Sequence, residues 1–342
     1  MAGIPFFEAS GRNHEIGLQI GERFRKNIRD VIDRIQFVRE RSSENFERAC
    51  RESCEKHFPQ YVEEIEGMAE GSGQEYGDVF FLQMYKEVLN KMLPGDGEKC
   101  TSVVFRKNGG FLLGHNEDGI KEHLGNIYVL KMETGQTRSI SLCYMGILPG
   151  NAVWVNSHGL ICSLTSLHAK PAKPGIPKYV LNRAMMDARN TDDFLRIATG
   201  KDKALGFHAT LISKKESRAL GIETTPEDYG TAIIGDRYLH TNHYVFGKFR
   251  NISQFVSDSS RTRYERVKEM VDSLKGDKTA SMAKILSDHG NSPLSVCRHG
   301  DPSSTGRTLN FTLSSVTVDS SDMTMRISQG NPCTSECKTY SL

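Results

Sequence analysis

Two hydrophobic periods divide the chain near residue 100. Ahead of it, Ile16, Leu18, Ile20, Phe24, Ile28, Val31, Ile32 and Ile35 recur close to the helical repeat, so one long amphipathic helix is expected from about Gly11, capped by Ser10. A second helix is expected from Ser43 to Lys56, stopped before Pro59, and a third through Tyr61, Ile65 and Met68 ends at Gly71 or Gly73. A fourth, from Tyr76 to Leu93, is broken by Pro94-Gly95-Asp96-Gly97.

Behind residue 100 the alternation is that of strands. Thr101 to Arg106 and Gly110 to Asn116 form a hairpin around Lys107-Asn108-Gly109-Gly110. Strand patterns follow at Ile127 to Glu133, Ser139 to Tyr144, Ala152 to Asn156, Leu160 to Leu164, Phe207 to Ser213, Arg218 to Glu223, Thr231 to Ile234 and Tyr238 to Thr241. The last two are Thr308 to Asp319 and Met323 to Gln329. Helix pairs are expected at Lys178 to Arg189 with Thr191 to Thr199, and at Ser260 to Leu274 with Lys278 to Asp288. Mostly antiparallel strands interrupted by helix pairs indicate an α+β protein with helices stacked outside sheets.

Composition narrows the partners. With 44 basic and 42 acidic residues among 342, the net charge of +2 gives no electrostatic reason to expect nucleic acid or a membrane surface, and a small molecule is the expected partner. No run of about 18 apolar residues occurs, and Met1-Ala2-Gly3-Ile4-Pro5-Phe6-Phe7 lacks a secretory pattern, so a soluble, cytoplasmic protein is expected. Tyr340-Ser341-Leu342 is a poor peroxisomal address, wanting a basic residue at Ser341. Eight cysteines without such a signal favour free thiols. Cys50, Cys54 and His57 share a helix face but lack a fourth ligand at zinc spacing, and Cys333 with Cys337 is read the same way. No phosphate-cradling glycine loop is present either, so neither metal nor cofactor is expected.

The junction itself carries the candidate chemistry. Cys100 stands at the start of a strand after a Gly-rich turn and before Thr101-Ser102, the local form of a masked N-terminal nucleophile. If the Lys99-Cys100 bond is cut, the new α-amine, with a pKa of about 7.7 to 8.0, can act as base for the thiol. Asp118, in His115-Asn116-Glu117-Asp118, returns beside Cys100 on the hairpin and can hold amine and thiol in register. Asn242, in His240-Thr241-Asn242-His243, follows a strand and can donate to an oxyanion, although an Asn there is more commonly a turn residue. Asp258-Ser259-Ser260-Arg261 reads as a helix cap.

These motifs occur in a shared order. Glu15-Ile16-Gly17, Pro59 to Gly73, Tyr85-Lys86-Glu87, Cys100-Thr101-Ser102, Asn116-Glu117-Asp118, Asn156-Ser157-His158-Gly159-Leu160, His240-Thr241-Asn242-His243, Asp258-Ser259-Ser260-Arg261 and Gln329-Gly330-Asn331-Pro332 together span nearly the whole chain. In this the chain resembles the acyl-coenzyme A:6-aminopenicillanate acyltransferase family of Ntn hydrolases, which includes animal β-alanyl-dopamine hydrolases. The resemblance implies a four-layer αββα sandwich with a helical N-terminal segment. It also implies self-cleavage of a precursor into an α chain, residues 1–99, and a β chain, residues 100–342, that stay associated as one Ntn-hydrolase domain. By motif, Cys100 takes the nucleophile's place, Asp118 the orienting carboxylate's and Asn242 the oxyanion donor's, while Arg307 matches an arginine lining the site. One departure is that Lys99 stands where the family has Gly, and its side chain crowds the strained turn that an N-to-S acyl shift needs.

The implied activity is hydrolysis of a small N-acyl amine, such as a β-alanyl conjugate, through a Cys100 thioester. Transfer of the acyl group from coenzyme A or an amide to an amine is the nearest alternative. A conventional Cys-His protease would work as an intact chain, and an inactive binding module would lack thiol reactivity.

Overall fold

The computed structural model describes residues 3–92, 99–120, 123–169, 171–273, 275–300 and 310–342. The front segment opens with a strand that periodicity did not announce, β1 (Phe6–Ser10), so Ser10 ends a strand instead of capping a helix. The expected long helix is two, α1 (Asn13–Arg23) and α2 (Arg25–Arg39), parted at Phe24, whose φ of −117° leaves the helical region. Phe24 turns its buried ring onto Tyr128, centroids 4.4 Å apart, a tertiary contact invisible in helical spacing. Next come α3 (Glu44–His57), capped by Ser43, and α4 (Pro59–Ser72), with Pro at its first position and left-handed Gly73 after its end.

The expected helix from Tyr76 is likewise split into α5 (Tyr76–Leu82) and α6 (Tyr85–Met92). At the break the Gln83 amide donates to the Gly146 carbonyl (2.9 Å) and accepts from the Leu148 amide (2.8 Å). Helices α1 and α4 lie nearly backbone to backbone. A Cβ at Gly17 would overlap the Glu64 carbonyl, and one at Gly71 the Leu18 carbonyl, which explains the glycines in these two motifs.

The rear segment runs β2 (Lys99–Lys107), β3 (Gly110–Ile120), β4 (Ile127–Thr134), β5 (Thr137–Tyr144), β6 (Val153–Asn156) and β7 (Leu160–Ser166), then α7 (Lys178–Met186) and α8 (Thr191–Ala198). It continues with β8 (Phe207–Ser213), β9 (Arg218–Thr224), β10 (Tyr229–Ile233), β11 (Arg237–His240), α9 (Asp258–Ser273), α10 (Lys278–Leu286), β12 (Asn310–Asp319), β13 (Thr324–Gln329) and β14 (Cys337–Tyr340). The expected strands and helix pairs are present with shifted ends, and β14 is an addition. It is a short, exposed edge strand of weak pattern on β13, with Lys338 facing β13's Ile327 in register.

The strands form two sheets, in the orders β1-β4-β5-β6-β7-β8-β9-β10 and β11-β2-β3-β12-β13-β14. Among the described residues β1 and β4 pair in parallel, and the ladders of the other strands are antiparallel. The sheets meet face to face where β2 approaches β7, with the Ser102 and Ser163 hydroxyls 3.1 Å apart. On the other side of β2 and β3, Val103, Phe105 and Leu112 pack against Val267 and Val271 of α9 and Met282, Ile285 and Leu286 of α10. The front helices with α7 and α8 cover the larger sheet, where Trp154 of β6 lies against Phe194 of α8, centroids 6.1 Å apart. Helix, sheet, sheet, helix is the expected αββα order, and the junction at Cys100 lies between its two sheets.

No helix among the described residues is long and apolar enough to cross a membrane.

Candidate active site

The β2–β3 hairpin decides which side chains meet Cys100. With Lys107 opposite Gly110 across Asn108-Gly109, the register places Ser102 opposite His115, Cys100 opposite Glu117 and Lys99 opposite Asp118. Alternation then sends Cys100, Ser102, His115 and Glu117 to the inner face, between the sheets, and Lys99, Thr101, Asn116 and Asp118 to the outer face, towards α9 and α10.

On the inner face the Cys100 thiol, 1% exposed, donates to Glu117 Oε2 at 3.5 Å. The same oxygen lies 2.9 Å from His115 Nε2, and Glu117 Oε1 accepts from the Tyr144 hydroxyl at 2.5 Å. His115 Nδ1 is 2.8 Å from the Ser102 hydroxyl. A buried chain of polar groups thus runs from the thiol through a carboxylate and an imidazole to two hydroxyls, a path along which a proton can be relayed.

The expected partner of the thiol, Asp118, is on the other face. Its Oδ1 accepts from the Thr312 hydroxyl at 2.8 Å, while Oδ2 is buried without a hydrogen-bond partner among the described residues. Burial pushes the Asp118 carboxyl up to about 7, against the pull of Arg263 and Arg298. In this register Glu117 faces the thiol, and Asp118 sits behind the strand, across from Lys99.

The raised Asp118 pKa has a consequence for stability. A carboxyl that titrates near 7 folded and near 3.8 unfolded contributes stability that is fully present below about pH 3.8 and is lost as pH rises through about 7. In a Cys100→Ala background, Asp118→Asn is expected to flatten the fall in unfolding free energy across this window, measured by urea denaturation from pH 4 to 8. Glu87, also pushed up to about 7 by burial, keeps some slope in the variant. Identical slopes in the two proteins would place the Asp118 pKa elsewhere.

Asn242 reaches Cys100 because β11 pairs with β2, His240 opposite Ser102, so the next residues run alongside the start of β2. Asn242 Oδ1 accepts from the Cys100 backbone amide at 2.9 Å, and Nδ2, which carries two N–H groups, donates one to the Ser166 carbonyl at 3.2 Å. Its own amide donates to Ser260 Oγ at 2.8 Å. His240 is anchored beside Glu223, Nε2 to Oε1 3.0 Å, and stacks on His208 with centroids 3.5 Å apart, holding the turn that presents Asn242.

Sequence reasoning missed Arg263. Fully buried on α9, it donates through Nη1 to the Cys100 carbonyl (2.5 Å) and Thr101 Oγ1 (2.7 Å), and through Nη2 to Asn242 Oδ1 (2.8 Å). Burial pulls its guanidinium down to about 10, the Asp118 charge opposing. The signal lay in Asp258-Ser259-Ser260-Arg261, read only as a cap; Ser259 accepts from Arg263 Nε and Ser260 holds Asn242, so this first turn builds the site. Arg307 lies outside the described residues.

Beside Tyr144 opens a cavity of 310 Å³ lined by Val31, Ile35 and Val38 of α2, Tyr85 and Leu89 of α6, and Tyr179, with Arg34, Lys86 and Asn126 as polar members. Tyr144, whose hydroxyl bonds Glu117, lines this mainly apolar space and links it to the carboxylate beside the thiol.

The family model for acyl-coenzyme A:6-aminopenicillanic acid acyl-transferase matches residues 104–333, beginning four residues after Cys100. The beta-alanyl-dopamine/carcinine hydrolase of Drosophila melanogaster is 24% identical over 253 residues, 65% of each chain, so this chain spans just under two thirds of that relative. The acyl-coenzyme A:6-aminopenicillanic-acid-acyltransferase 40 kDa form of Emericella nidulans is 25% identical over 313 residues, 87% of this chain and 86% of that one. Among solved structures, a Caenorhabditis elegans N-acylethanolamine-hydrolyzing acid amidase ortholog aligns with a TM-score of 0.45 at 15% identity, covering 71% of this chain and 100% of that one.

Proposed function

Because the chain belongs to the acyl-coenzyme A:6-aminopenicillanic acid acyl-transferase family, we propose that it is a self-processing amidohydrolase that cleaves small N-acyl amines through a thioester on Cys100. The observation that carries this reading is the placement of Cys100. Its thiol is beside a carboxylate, its backbone amide is on Asn242 and its carbonyl is on Arg263, so the peptide around the nucleophile is held from both sides.

In the precursor, the Cys100 sulfur attacks the Lys99 carbonyl carbon as Glu117 takes the thiol proton. The C–S bond forms, the Lys99–Cys100 C–N bond breaks, and the proton ends on the departing Cys100 nitrogen. Water then hydrolyses the thioester, freeing residues 1–99 as one chain and Cys100 as the first residue of another. The extensive burial between the front helices and the larger sheet supports continued association of the two chains. In the mature site the Cys100 amine takes the thiol proton, since α-amines ordinarily titrate at about 7.7 to 8.0, close to neutral pH. The sulfur attacks the substrate carbonyl, Asn242 Nδ2 donates to the developing oxyanion, and the protonated amine supplies the leaving amine's proton. Water repeats the attack on the acyl-enzyme, releasing the acid. Arg263 acts as a positioning residue, fixing the Cys100 carbonyl and the Asn242 oxygen. Arg307 is proposed to line the substrate site, on the motif match alone.

The cavity beside Tyr144 suits one small, partly aromatic substrate, near the lower end of ordinary ligand sites of roughly 300–1,000 Å³. By analogy with the fly hydrolase, a β-alanyl amine is the first substrate to try. Transfer to an amine acceptor is the second reading, favoured by the fungal acyltransferase's coverage of 87% of this chain. The compartment proposed is the cytoplasm, since all eight cysteines are free thiols.

Intact-mass analysis of the purified protein tests the reading. The expected result is conversion of the 38.3 kDa chain into two fragments, the larger starting at Cys100. Amine release from carcinine should appear in step with it, and added amine acceptors distinguish transfer from hydrolysis by trapping the acyl group. A permanently intact chain that is fully active would overturn the mechanism.

A further inference from the structure

On the smaller sheet's flank, the segment after α10 meets the turn between β13 and β14, and four ligand side chains from distant parts of the sequence converge. His289, Cys297, His299 and Cys333 each offer one donor atom, and all four atoms lie within 4.8 Å of one another. Four of the six separations are 3.0 Å between His289 Nε2 and His299 Nε2, 3.7 Å between Cys297 Sγ and His299 Nε2, 3.2 Å between Cys333 Sγ and His299 Nε2, and 3.6 Å between the two sulfurs.

We propose that these four residues bind one zinc ion in a closed, structural Cys2His2 site. A tetrahedron with Zn–S of about 2.3 Å and Zn–N of about 2.0–2.1 Å has edges of about 3.8 Å between sulfurs, about 3.6 Å between sulfur and nitrogen and about 3.3 Å between nitrogens. Each of these four separations lies within about 0.4 Å of its tetrahedral edge. The sulfurs are far beyond a disulfide's length of about 2.05 Å but close to the tetrahedral edge. Two thiols with two imidazoles are also the donor set that selects zinc over the hard cations.

The surroundings suit thiolate ligation. Asn331 Nδ2 donates to Cys297 Sγ at 3.4 Å and to the Arg298 carbonyl at 2.7 Å, the kind of N–H contact that orients and steadies a metal-bound sulfur. Binding replaces the two thiol protons, which pass to solvent, with two Zn–S bonds. With four protein ligands no position is open for substrate, so the ion's role is to tie residues 289–299 to the turn at Cys333. Arg298 lies between two of the ligands. Its amide donates to Thr312 Oγ1, which donates to Asp118, and its guanidinium donates to Ser259, so the ion braces the outer wall behind Cys100.

The test is elemental analysis of full-length protein, with affinity measured against a chromophoric zinc chelator. One zinc per chain is expected in the wild type and in Cys100→Ser, which disables the other cluster of potential ligands, Cys100, His115 and Glu117. Cys333→Ser and His289→Ala, at exposed positions, should stay folded by circular dichroism and bind zinc more weakly. Loss of a direct ligand should exceed the roughly 10- to 100-fold cost of losing an outer partner. Cobalt exchanged into the wild type should give the intense visible spectrum of a tetrahedral sulfur-nitrogen site. No zinc uptake with the thiols reduced, wild-type affinity in Cys333→Ser, or a mapped Cys297–Cys333 disulfide in protein from a reducing cytoplasm would each overturn the assignment.

Discussion

Cys100→Ala is expected to stay a folded single chain of about 38 kDa, without turnover, while Cys100→Ser processes slowly and turns over little. The contrast follows from the nucleophile. A hydroxyl placed where the thiol stands can still attack the Lys99 carbonyl, but near neutral pH it is far less nucleophilic than a thiol of pKa near about 8.5. Alanine has nothing to attack with. Stability should change little, since the substitution deletes one sulfur from a buried site whose backbone is held independently by Asn242 and Arg263. Intact mass over days of incubation, with thermal unfolding as the control for folding, makes the measurement. An alanine variant that still splits after Lys99 would assign the cut to another residue or an outside protease, and the proposed mechanism would fall with it.

Lys99 makes the rate of this cut informative. It opens β2 opposite Asp118, on the outer face, so its side chain points away from the thiol rather than into the space between the sheets. The bulk of the Lys99 side chain is therefore on the face opposite the thiol. Lys99→Gly should then change the processing rate through backbone freedom more than through cleared space.

Alternation and helical spacing carried most of the architecture, and they failed where tertiary contacts outweighed local pattern. Phe24 and Gln83 each sit inside a sound helical period, yet the ring of one packs against Tyr128 and the amide of the other ties down the loop at Gly146 and Leu148. Five residues of β1 and four of β14 are too few to establish a period at all. In the candidate site, motifs singled out Cys100 and Asn242, which the structure brings together. That Glu117 shares the thiol's face while Asp118 takes the other was not legible, because adjacent acids look alike until a register is set. Counting back from Lys107 opposite Gly110 would have put Cys100 opposite Glu117. Arg263 was hidden for a different reason: a Ser-rich helix start explains itself as a cap, so nothing prompted a search one turn further on. The four proposed zinc ligands escaped because their spacing is tertiary, with 33 residues between Cys333 and the nearest of the others in sequence, His299.

Asn242 offers the sharpest division of roles, because its two amide atoms do different things. Its oxygen accepts from the Cys100 amide and from Arg263, and its nitrogen, already on the Ser166 carbonyl, has a second N–H to offer a substrate oxygen. Asn242→Ala removes both functions and should lower kcat by about 100- to 1000-fold, the usual cost of one oxyanion donor. It also frees the Cys100 backbone and leaves the buried Arg263 without one acceptor, so slower processing should accompany the loss. Asn242→Asp keeps the acceptor and adds a carboxylate beside the Arg263 guanidinium, so the precursor should fold and hold Cys100 in place. That carboxylate cannot donate when ionised and repels a developing oxyanion, so turnover should fall at least as far as in the alanine variant. Single-turnover assays on fully processed protein separate the two effects. If Asn242→Asp processes and turns over like the wild type, the nitrogen has no part in the reaction and Asn242 is a structural acceptor for the β2 backbone.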